Sequence, residues 1–486
     1  MNLAASFGVS LSLVIPELIL VVGAMALLIA GVFLGDKSSR RISFGAVALL
    51  VAALVAAVMT PAGGDGSIFE GAFRMDAFAA FTKVIIYAAA AFAILMSDRY
   101  LAGEKLGRPE YPVLIVLAAF GMSLMASSTD LISLYMGIET QSLALYILAA
   151  FNRDSRRSTE AGLKYFVLGA LSSGLLLYGA SLIYGFAGST QFDAIARVAA
   201  TSGDHVGLVI GLVFLISGLA FKVSAAPFHM WAPDVYEGAP TPVTAFFAGA
   251  PKVAAMALFA RAMVVPFPAI IDQWRPGIAI IAVASMAIGA FSAITQTNIK
   301  RLMAYSSIGH MGYALIGVAA GNAQGVSAVL IYMAIYVVMT IGTFACILLM
   351  RRRGGLTENI ADLAGLSRTN PSLAFALTIL FFSLAGIPPM AGFIGKWFVF
   401  FSAVDAGLIW LAVTGAVLSV VSAFYYLRVV WIMWFDEPAP AFEREMGKTL
   451  GLTAGLAALL IFPFLVVPPF IGLLRAAADH AAAALF

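Results

Sequence analysis

Long apolar stretches follow one another along almost the whole chain and restrict the folds that it can adopt. A transmembrane helix needs about 20 apolar residues, and about fourteen stretches suit this length. Only 11% of the residues are charged, whereas soluble domains carry about 25%. The sequence therefore predicts an all-α, polytopic membrane protein with spans near residues 9–34, 42–60, 76–98, 111–127, 131–151, 160–187, 206–230, 241–263, 277–295, 302–320, 325–350, 372–402, 407–434 and 450–474.

Basic residues are distributed unevenly between the connections of these spans. The connections after even-numbered spans hold little beyond Arg74, Arg197 and Arg275. Cytoplasmic loops carry an excess of lysine and arginine, so we expect the odd-numbered connections in the cytoplasm and both termini on the other side. The residues of these basic connections are Lys37, Arg40, Arg41, Arg99, Lys105, Arg108, Arg153, Arg156, Arg157, Lys300, Arg301, Arg351, Arg352, Arg353, Arg368, Arg444 and Lys448.

Residues that hold metals and redox cofactors are scarce. Cys346 is the only cysteine, which excludes an intrachain disulfide framework and a thiolate cluster. The histidines lack the spacing of zinc ligands, and no haem, flavin or dinucleotide motif occurs. The basic residues lie in loops and form no patch suited to nucleic acid. We expect no metal and no cofactor in this chain, and no nucleic-acid partner.

Four charged residues lie near the middle of predicted spans, where an ammonium costs roughly 3 kcal/mol or more. They are Glu139, Lys222, Lys252 and Lys396. Removal from water favours the neutral form of a lysine, so that a buried lysine can exchange a proton near neutral pH. These residues indicate a proton-transport path, and structural ion pairs are the alternative.

Three other charged residues lie closer to a predicted membrane face. Lys164 begins the sixth span, and Glu17 and Lys83 lie within a few turns of the other face. Long side chains at such positions can extend their charge to the surface. For these three residues, the sequence is compatible with a role in transport and also with a side chain that extends to the membrane surface.

Two spans are interrupted by proline next to a buried lysine. Pro227 and Pro233 follow Lys222, and Pro388 and Pro389 precede Lys396. Non-helical backbone at this depth is tolerated only where it lines protein or water. The breaks lie five spans apart, and an odd offset inverts one copy relative to the membrane. The pattern predicts two inverted five-helix repeats with broken helices around a transport site, with kinks that serve packing alone as the alternative.

These segments resemble the antiporter-like membrane subunits of respiratory complex I, which are related to multisubunit cation/proton antiporters. The resemblance lies in the run 221–244, in Glu139 with the residues before it, in Lys252 and in the stretch 306–313. It extends to residues 386–397, which read GIPPMAGFIGKW, and it covers essentially the whole chain.

The resemblance implies a proton relay in which each matched residue has a role. Glu139 and Lys222 would face each other across the first unit, and Lys164 would modulate Lys222. Lys252 would connect the first unit to the second, and Lys396 would end the relay.

Two histidines are further candidates for the relay. His229 lies beside the first break, where a capping or packing role is the alternative. His310 lies in the 306–313 stretch, among groups that can bridge the gaps between lysines.

The resemblance also implies a function and a setting. The chain would be a proton-translocating subunit of an NADH–quinone oxidoreductase in the bacterial inner membrane, surrounded by lipid and by other membrane subunits of the complex. FMN, iron–sulfur clusters and quinone would be held by partner subunits. The alternatives are a subunit of a cation/proton antiporter or of a membrane-bound hydrogenase, and a structural membrane anchor.

The chain is expected to divide into four parts. Residues 1–110 would form an N-terminal three-helix segment, and 450–474 a C-terminal transmembrane helix. The two five-helix units would occupy residues 111–263 and 277–434.

Overall fold

The chain is almost entirely helical. The computed structural model describes residues 11–60, 66–201, 206–353, 355–443, 447–462 and 467–486. Within these ranges there are 20 α-helices and two hairpins of two-residue strands. Eleven helices or kinked helix pairs are long and apolar enough to cross a membrane. The predicted all-α, polytopic class is confirmed.

The N-terminal part contains three membrane helices and one hairpin. Asp76 begins the third helix because its carboxylate accepts the Ala79 N–H at 2.8 Å. The elements are α1 (Ile15–Leu34), α2 (Ser39–Met59), β1 (Ser67–Ile68), β2 (Phe73–Arg74) and α3 (Ala77–Gly103).

The first five-helix unit contains a broken fourth member. The predicted span 206–230 stops at Val223, and a second half-helix begins at Trp231. The next span continues through a kink at Gly249. The elements are α4 (Glu110–Ser127), α5 (Leu131–Ala149), α6 (Arg156–Ala187), α7 (Phe192–Thr201), α8 (Val206–Val223), α9 (Trp231–Gly238), α10 (Thr241–Ala248) and α11 (Ala250–Val264).

The second unit repeats this order of three unbroken helices, one broken helix and one more. The predicted span 372–402 is interrupted between Ala385 and Ala391. Each break contains one cis peptide bond before a proline, at Pro227 and at Pro389. The elements are α12 (Ile271–Ile294), α13 (Ile299–Ala320), α14 (Ala323–Leu348), β3 (Arg351–Arg352), β4 (Gly355–Leu356), α15 (Leu366–Thr369), α16 (Pro371–Ala385), α17 (Ala391–Asp405) and α18 (Ile409–Phe435).

The C-terminal region differs from the single helix expected over 450–474. Its elements are α19 (Lys448–Ile461) and α20 (Val467–Ala483). Helix α19 is followed by Phe462 in an extended conformation (φ −70°, ψ 130°), because a residue before a proline is disfavoured in the helical region. Residues 463–466, at the middle of the expected span, lie outside the described residues, as does Arg444 of the basic connections.

The kinked span α10–α11 lies at the centre of the bundle. Its most apolar stretch is 100% buried, compared with 22% for α1 at the periphery. Lys252 is on this central span and is only 1% exposed. A side chain at this position cannot extend its charge to the membrane surface.

The two ends of the bundle differ in charge, and we name them accordingly. The basic face carries the connections after α1, α3, α5, α12 and α14. The ion pair Glu104–Arg351 (3.4 Å) joins two of these connections, and Arg157–Glu237 (2.5 Å) joins α6 to α9. The opposite face carries the β1–β2 hairpin and α7.

Candidate functional site

The first helix break binds an ammonium from another helix at its carbonyl end. Ser224 adopts a left-handed conformation (φ 61°), and the Ala225 N–H turns back to the Ala220 carbonyl at 2.8 Å, which ends α8. Lys252, in the first turn of α11, donates to the Val223 carbonyl at 3.0 Å and to the Ser224 hydroxyl. Its ammonium therefore lies at the negative end of the α8 dipole.

The second break also binds a buried ammonium, which here comes from the second half of the broken helix itself. Gly386 (φ 81°) ends α16, and its N–H donates to the Phe382 carbonyl at 3.1 Å. Lys396 of α17 donates to the Ala385 carbonyl at 2.9 Å and to Ser419 of α18 at 2.8 Å. Each unit therefore places one buried ammonium at the carbonyl end of its broken helix.

Lys222 is adjacent to the first break in sequence, but its side chain binds elsewhere. Its ammonium donates to Ser142 of α5 at 2.8 Å. Glu139, about one turn earlier in α5, accepts a hydrogen bond from Ser173 of α6. Glu139 and Lys222 are close enough to interact electrostatically. Two serines thus bind Glu139 and Lys222, which the resemblance placed opposite each other.

Lys164 lies in an ionic network at the basic face. Its half-exposed ammonium is 2.8 Å from Asp234 of α9 and 2.9 Å from Glu160. Asp234 also accepts from Arg301 of α13 at 2.8 Å. The network links α6, the second half of the broken helix and the second unit. A modulating effect of Lys164 on Lys222 stays a prediction.

His310 lies in a buried chain of hydroxyl groups within the second unit. Its Nδ1 is 2.6 Å from the Tyr332 hydroxyl, and its Nε2 is 3.1 Å from the Tyr426 hydroxyl. Tyr426 in turn hydrogen-bonds Ser306. Lys396 is close enough to act on the imidazole electrostatically. This chain provides exchangeable protons beside Lys396.

His229 lies within the first break and is half-buried. Its Nδ1 is buried and has no hydrogen-bond partner among the described residues. Its main-chain carbonyl accepts the Ala232 N–H at 2.9 Å, at the start of α9. Both the relay role and the structural role of His229 stay predictions.

Most of the hydrogen-bonding partners of these charges carry no distinguishing signal in the sequence. A serine or tyrosine in an apolar helix commonly serves helix packing, so its position alone does not distinguish it. Asp234 was the one partner with a signal, because it is a carboxylate inside a proline-interrupted segment. The partners are Ser142, Ser173, Ser224, Ser419, Tyr332 and Tyr426.

The three innermost lysines bind neutral groups. Lys222, Lys252 and Lys396 donate to serine hydroxyls or backbone carbonyls, and within the described residues none of them forms an ion pair. An amine held in this way can release a proton without leaving an unpaired carboxylate. Across the described ranges, no group of three or more histidine, cysteine or acidic residues could hold a metal ion.

The fold and this site define a class of protein. Inverted repeats with discontinuous helices near the membrane midplane are typical of ion-coupled transport proteins. Residues 128–422 match the family described as NADH:quinone oxidoreductase/Mrp antiporter, transmembrane. The chain thus has the antiporter-like architecture.

Individual relatives narrow the assignment. NADH-quinone oxidoreductase subunit N of Maricaulis maris is 58% identical over 458 residues, which are 94% of this chain and 95% of that protein. The subunit N of Parvibaculum lavamentivorans is 56% identical over 454 residues, 93% of this chain and 94% of the relative. The chain belongs to the family of NADH-quinone oxidoreductase subunit N.

A solved structure agrees with this assignment. A chain of respiratory complex I from Thermus thermophilus, determined with bound aureothin, is 32% identical and superposes with a TM-score of 0.81. The match covers 96% of this chain and 100% of that one. The resemblance stated from the motifs is confirmed.

Proposed function

We propose that this chain translocates protons as a membrane subunit of an NADH–quinone oxidoreductase. The observation that carries the proposal is the pair of helix breaks, each with a buried, hydrogen-bonded ammonium at its carbonyl end. A membrane anchor gains nothing evident from such costly groups. Membership in the subunit N family supports the specific reaction, electron transfer from NADH to quinone coupled to proton movement.

The redox steps of this reaction would take place on partner subunits. FMN, iron–sulfur clusters and quinone are assigned to those partners, and this chain contributes the proton path. The neighbours are other membrane subunits of complex I together with lipid, and the hydrophilic redox arm acts on the chain indirectly. The name of the Thermus thermophilus structure supports this setting.

We assign the basic face to the cytoplasm of a bacterium and the opposite face to the periplasm. The charge distribution between the connections supports this orientation. Both termini then lie on the periplasmic side of the inner membrane. The division into an N-terminal part (1–110) and two five-helix units (111–263 and 277–434) is proposed on the same topology, with α19 and α20 as the fourth part in place of a single helix over 450–474.

The proposed relay runs through the bundle from one unit to the other. Glu139 and Lys222 hold the proton in the first unit, with Lys164 at its cytoplasmic end. Lys252 connects them to the second unit, where His310 leads to Lys396. His229 is a further candidate beside the first break. Serine and tyrosine hydroxyls support this order because they contact the charged groups directly.

Exchange of Glu139 for glutamine tests this function. We expect the NADH-driven pH gradient to fall about tenfold, equivalent to ~1.4 kcal/mol on a rate, because Lys222 loses the anion with which it interacts electrostatically. The measurement is the quenching of a pH-gradient dye in membrane vesicles, with assembly checked on native gels. Glu437→Gln is the matched control, since Glu437 is 94% exposed.

The same membranes test membership in the complex. A tagged chain is expected to co-purify with flavin-containing, NADH-oxidising subunits. Purification without those subunits would contradict the NADH–quinone assignment and favour an antiporter. Native pumping in assembled Glu139→Gln complexes would contradict the relay.

Exchange of Gly386 for alanine is expected to reduce proton transport. A methyl group there would lie 3.0 Å from the Lys396 ammonium nitrogen, and the left-handed backbone adds roughly 1–2 kcal/mol. Gly407→Ala is a matched control, because its φ is also positive (76°) but nothing lies within 4 Å. The dye assay should show a clear loss for Gly386→Ala only. Equal losses would mean that backbone strain alone matters.

A further inference from the structure

Four charged side chains form a second buried cluster near the opposite face, which we name the outer ionic cluster. Lys83 of α3 is 2.6 Å from Glu17 of α1, and Arg261 of α11 is 2.7 Å from Asp76. Lys83 is 0% and Arg261 1% exposed. By sequence position alone, the Glu17 and Lys83 side chains could extend to the membrane surface. The structure excludes this, because their charges meet inside the bundle.

The cluster contains unfilled hydrogen-bonding capacity. Glu17 Oε2, Asp76 Oδ2 and Arg261 Nε are buried and have no partner among the described residues. Glu17 Oε1 accepts from Ser123, whose hydroxyl is 2.6 Å from that of Tyr87. A buried ion pair is weak evidence for a stabilising role, since apolar residues of similar volume often stabilise a fold equally well. Incompletely paired charges favour a role in transport.

The cluster lies between the central helix and the opposite face. Arg261 is on α11 with Lys252, and the two positions are nine residues apart, which corresponds to roughly 13 Å of helix. The Phe73 ring lies 4.8 Å from the Lys83 ammonium. Phe73 also lines a cavity of about 720 Å³ at the opposite face, together with Glu70 and Asp130. Phe73 thus contacts the Lys83 ammonium and also borders this cavity.

We propose that the outer ionic cluster releases protons from this chain to the periplasmic side, with Glu17 as the group that accepts the proton. This inference rests on the proposed function and adds a site to it. The Lys83 ammonium transfers a proton to the Glu17 carboxylate, so that an N–H bond breaks, an O–H bond forms and both groups become neutral. The acid then gives the proton to water in the cavity.

The other two residues position this step. Arg261 retains its charge at any working pH and cannot carry the proton. Asp76 holds it in place and also begins α3, the helix that carries Lys83. The relay centred on Lys252 supplies the next proton to the Lys83 amine.

The double variant Glu17→Gln/Lys83→Met distinguishes proton release from a structural ion pair. It removes both charges together, so that no unpaired buried charge remains to disturb assembly. We expect assembled complexes that oxidise NADH but move fewer protons per NADH than the native complex. The exposed pair Arg40–Asp98 (3.4 Å) supplies the control Arg40→Met/Asp98→Asn, which should keep the native ratio. A native ratio in the Glu17/Lys83 variant would overturn the inference.

An infrared measurement keeps the test decisive if the double variant does not assemble. The reduced-minus-oxidised spectrum of the native complex should contain a protonated-carboxyl band that shifts in Glu17→Asp, which preserves the carboxylate. An unchanged spectrum would overturn the inference. Failure of the native complex to pump would instead refute the proposed function, so the two failures are distinguishable.

Discussion

Lys252→Met complexes are expected to assemble in the membrane, and their rate of proton translocation is expected to fall about tenfold or more. A tenfold fall in rate corresponds to a barrier that is higher by ~1.4 kcal/mol. Methionine preserves length and apolar character but has no exchangeable proton. It also leaves the Val223 carbonyl and the Ser224 hydroxyl without their buried donor, at roughly 1–3 kcal/mol for each group. NADH-driven quinone reduction should fall together with the pH gradient, because the two processes are coupled.

Lys252→Gln separates the capping role of this lysine from proton exchange. The glutamine amide can still donate to the Val223 carbonyl but cannot carry an ionisable proton. Compared with Lys252→Met, we expect Lys252→Gln to recover the stability of the complex but not its proton translocation. Lys37→Met, at an exposed lysine of the basic face, should behave as native. If Lys252→Gln complexes pump at the native rate, Lys252 only caps α8 and does not exchange a proton.

Lys222→Arg is the second change with a large expected effect. Arginine keeps the positive charge beside Glu139 but stays protonated at any working pH, so it cannot release a proton. Its planar group is also larger than the buried Lys222 ammonium, which donates a hydrogen bond to Ser142 at 2.8 Å. We expect the pH gradient in assembled complexes to fall about tenfold or more, equivalent to at least ~1.4 kcal/mol.

The control for this variant is Lys448→Arg, because Lys448 is exposed at the start of α19. Dye quenching and quinone reduction are measured in membranes with equal amounts of assembled complex. A Lys222→Arg complex that pumps at the control rate would show that only the charge is needed. The proton-exchange role of Lys222 would then be wrong.

Sequence reasoning located the buried charges and the breaks because both are local properties. A lysine in an apolar span is visible wherever its side chain points, and proline interrupts a helix by its own geometry. The breaks accordingly lie where the prolines indicated, after Val223 and after Ala385. Sequence reasoning did not show that Lys252, rather than Lys222, binds the first break. That assignment depends on the packing of α11 against α8.

The outer ionic cluster illustrates the same limit. Glu17 and Lys83 are 66 positions apart in the chain. Taken alone, each position is compatible with a side chain that extends to the membrane surface. Their pairing depends on the packing of both α1 and α3 against α4, and on the packing of α11 against α3. No periodicity in the sequence encodes that arrangement.

The sequence by itself determined the membrane class, the approximate spans, the placement of charges at membrane depth and the two interruptions. These follow from the cost of placing polar groups in hydrocarbon, which acts on each segment separately. Only the tertiary structure decided which carbonyl, serine or carboxylate each charge contacts. Those contacts join helices distant in the chain, as between Lys396 and Ser419 or Arg261 and Asp76. Packing places such groups within hydrogen-bonding distance, and no local pattern specifies it.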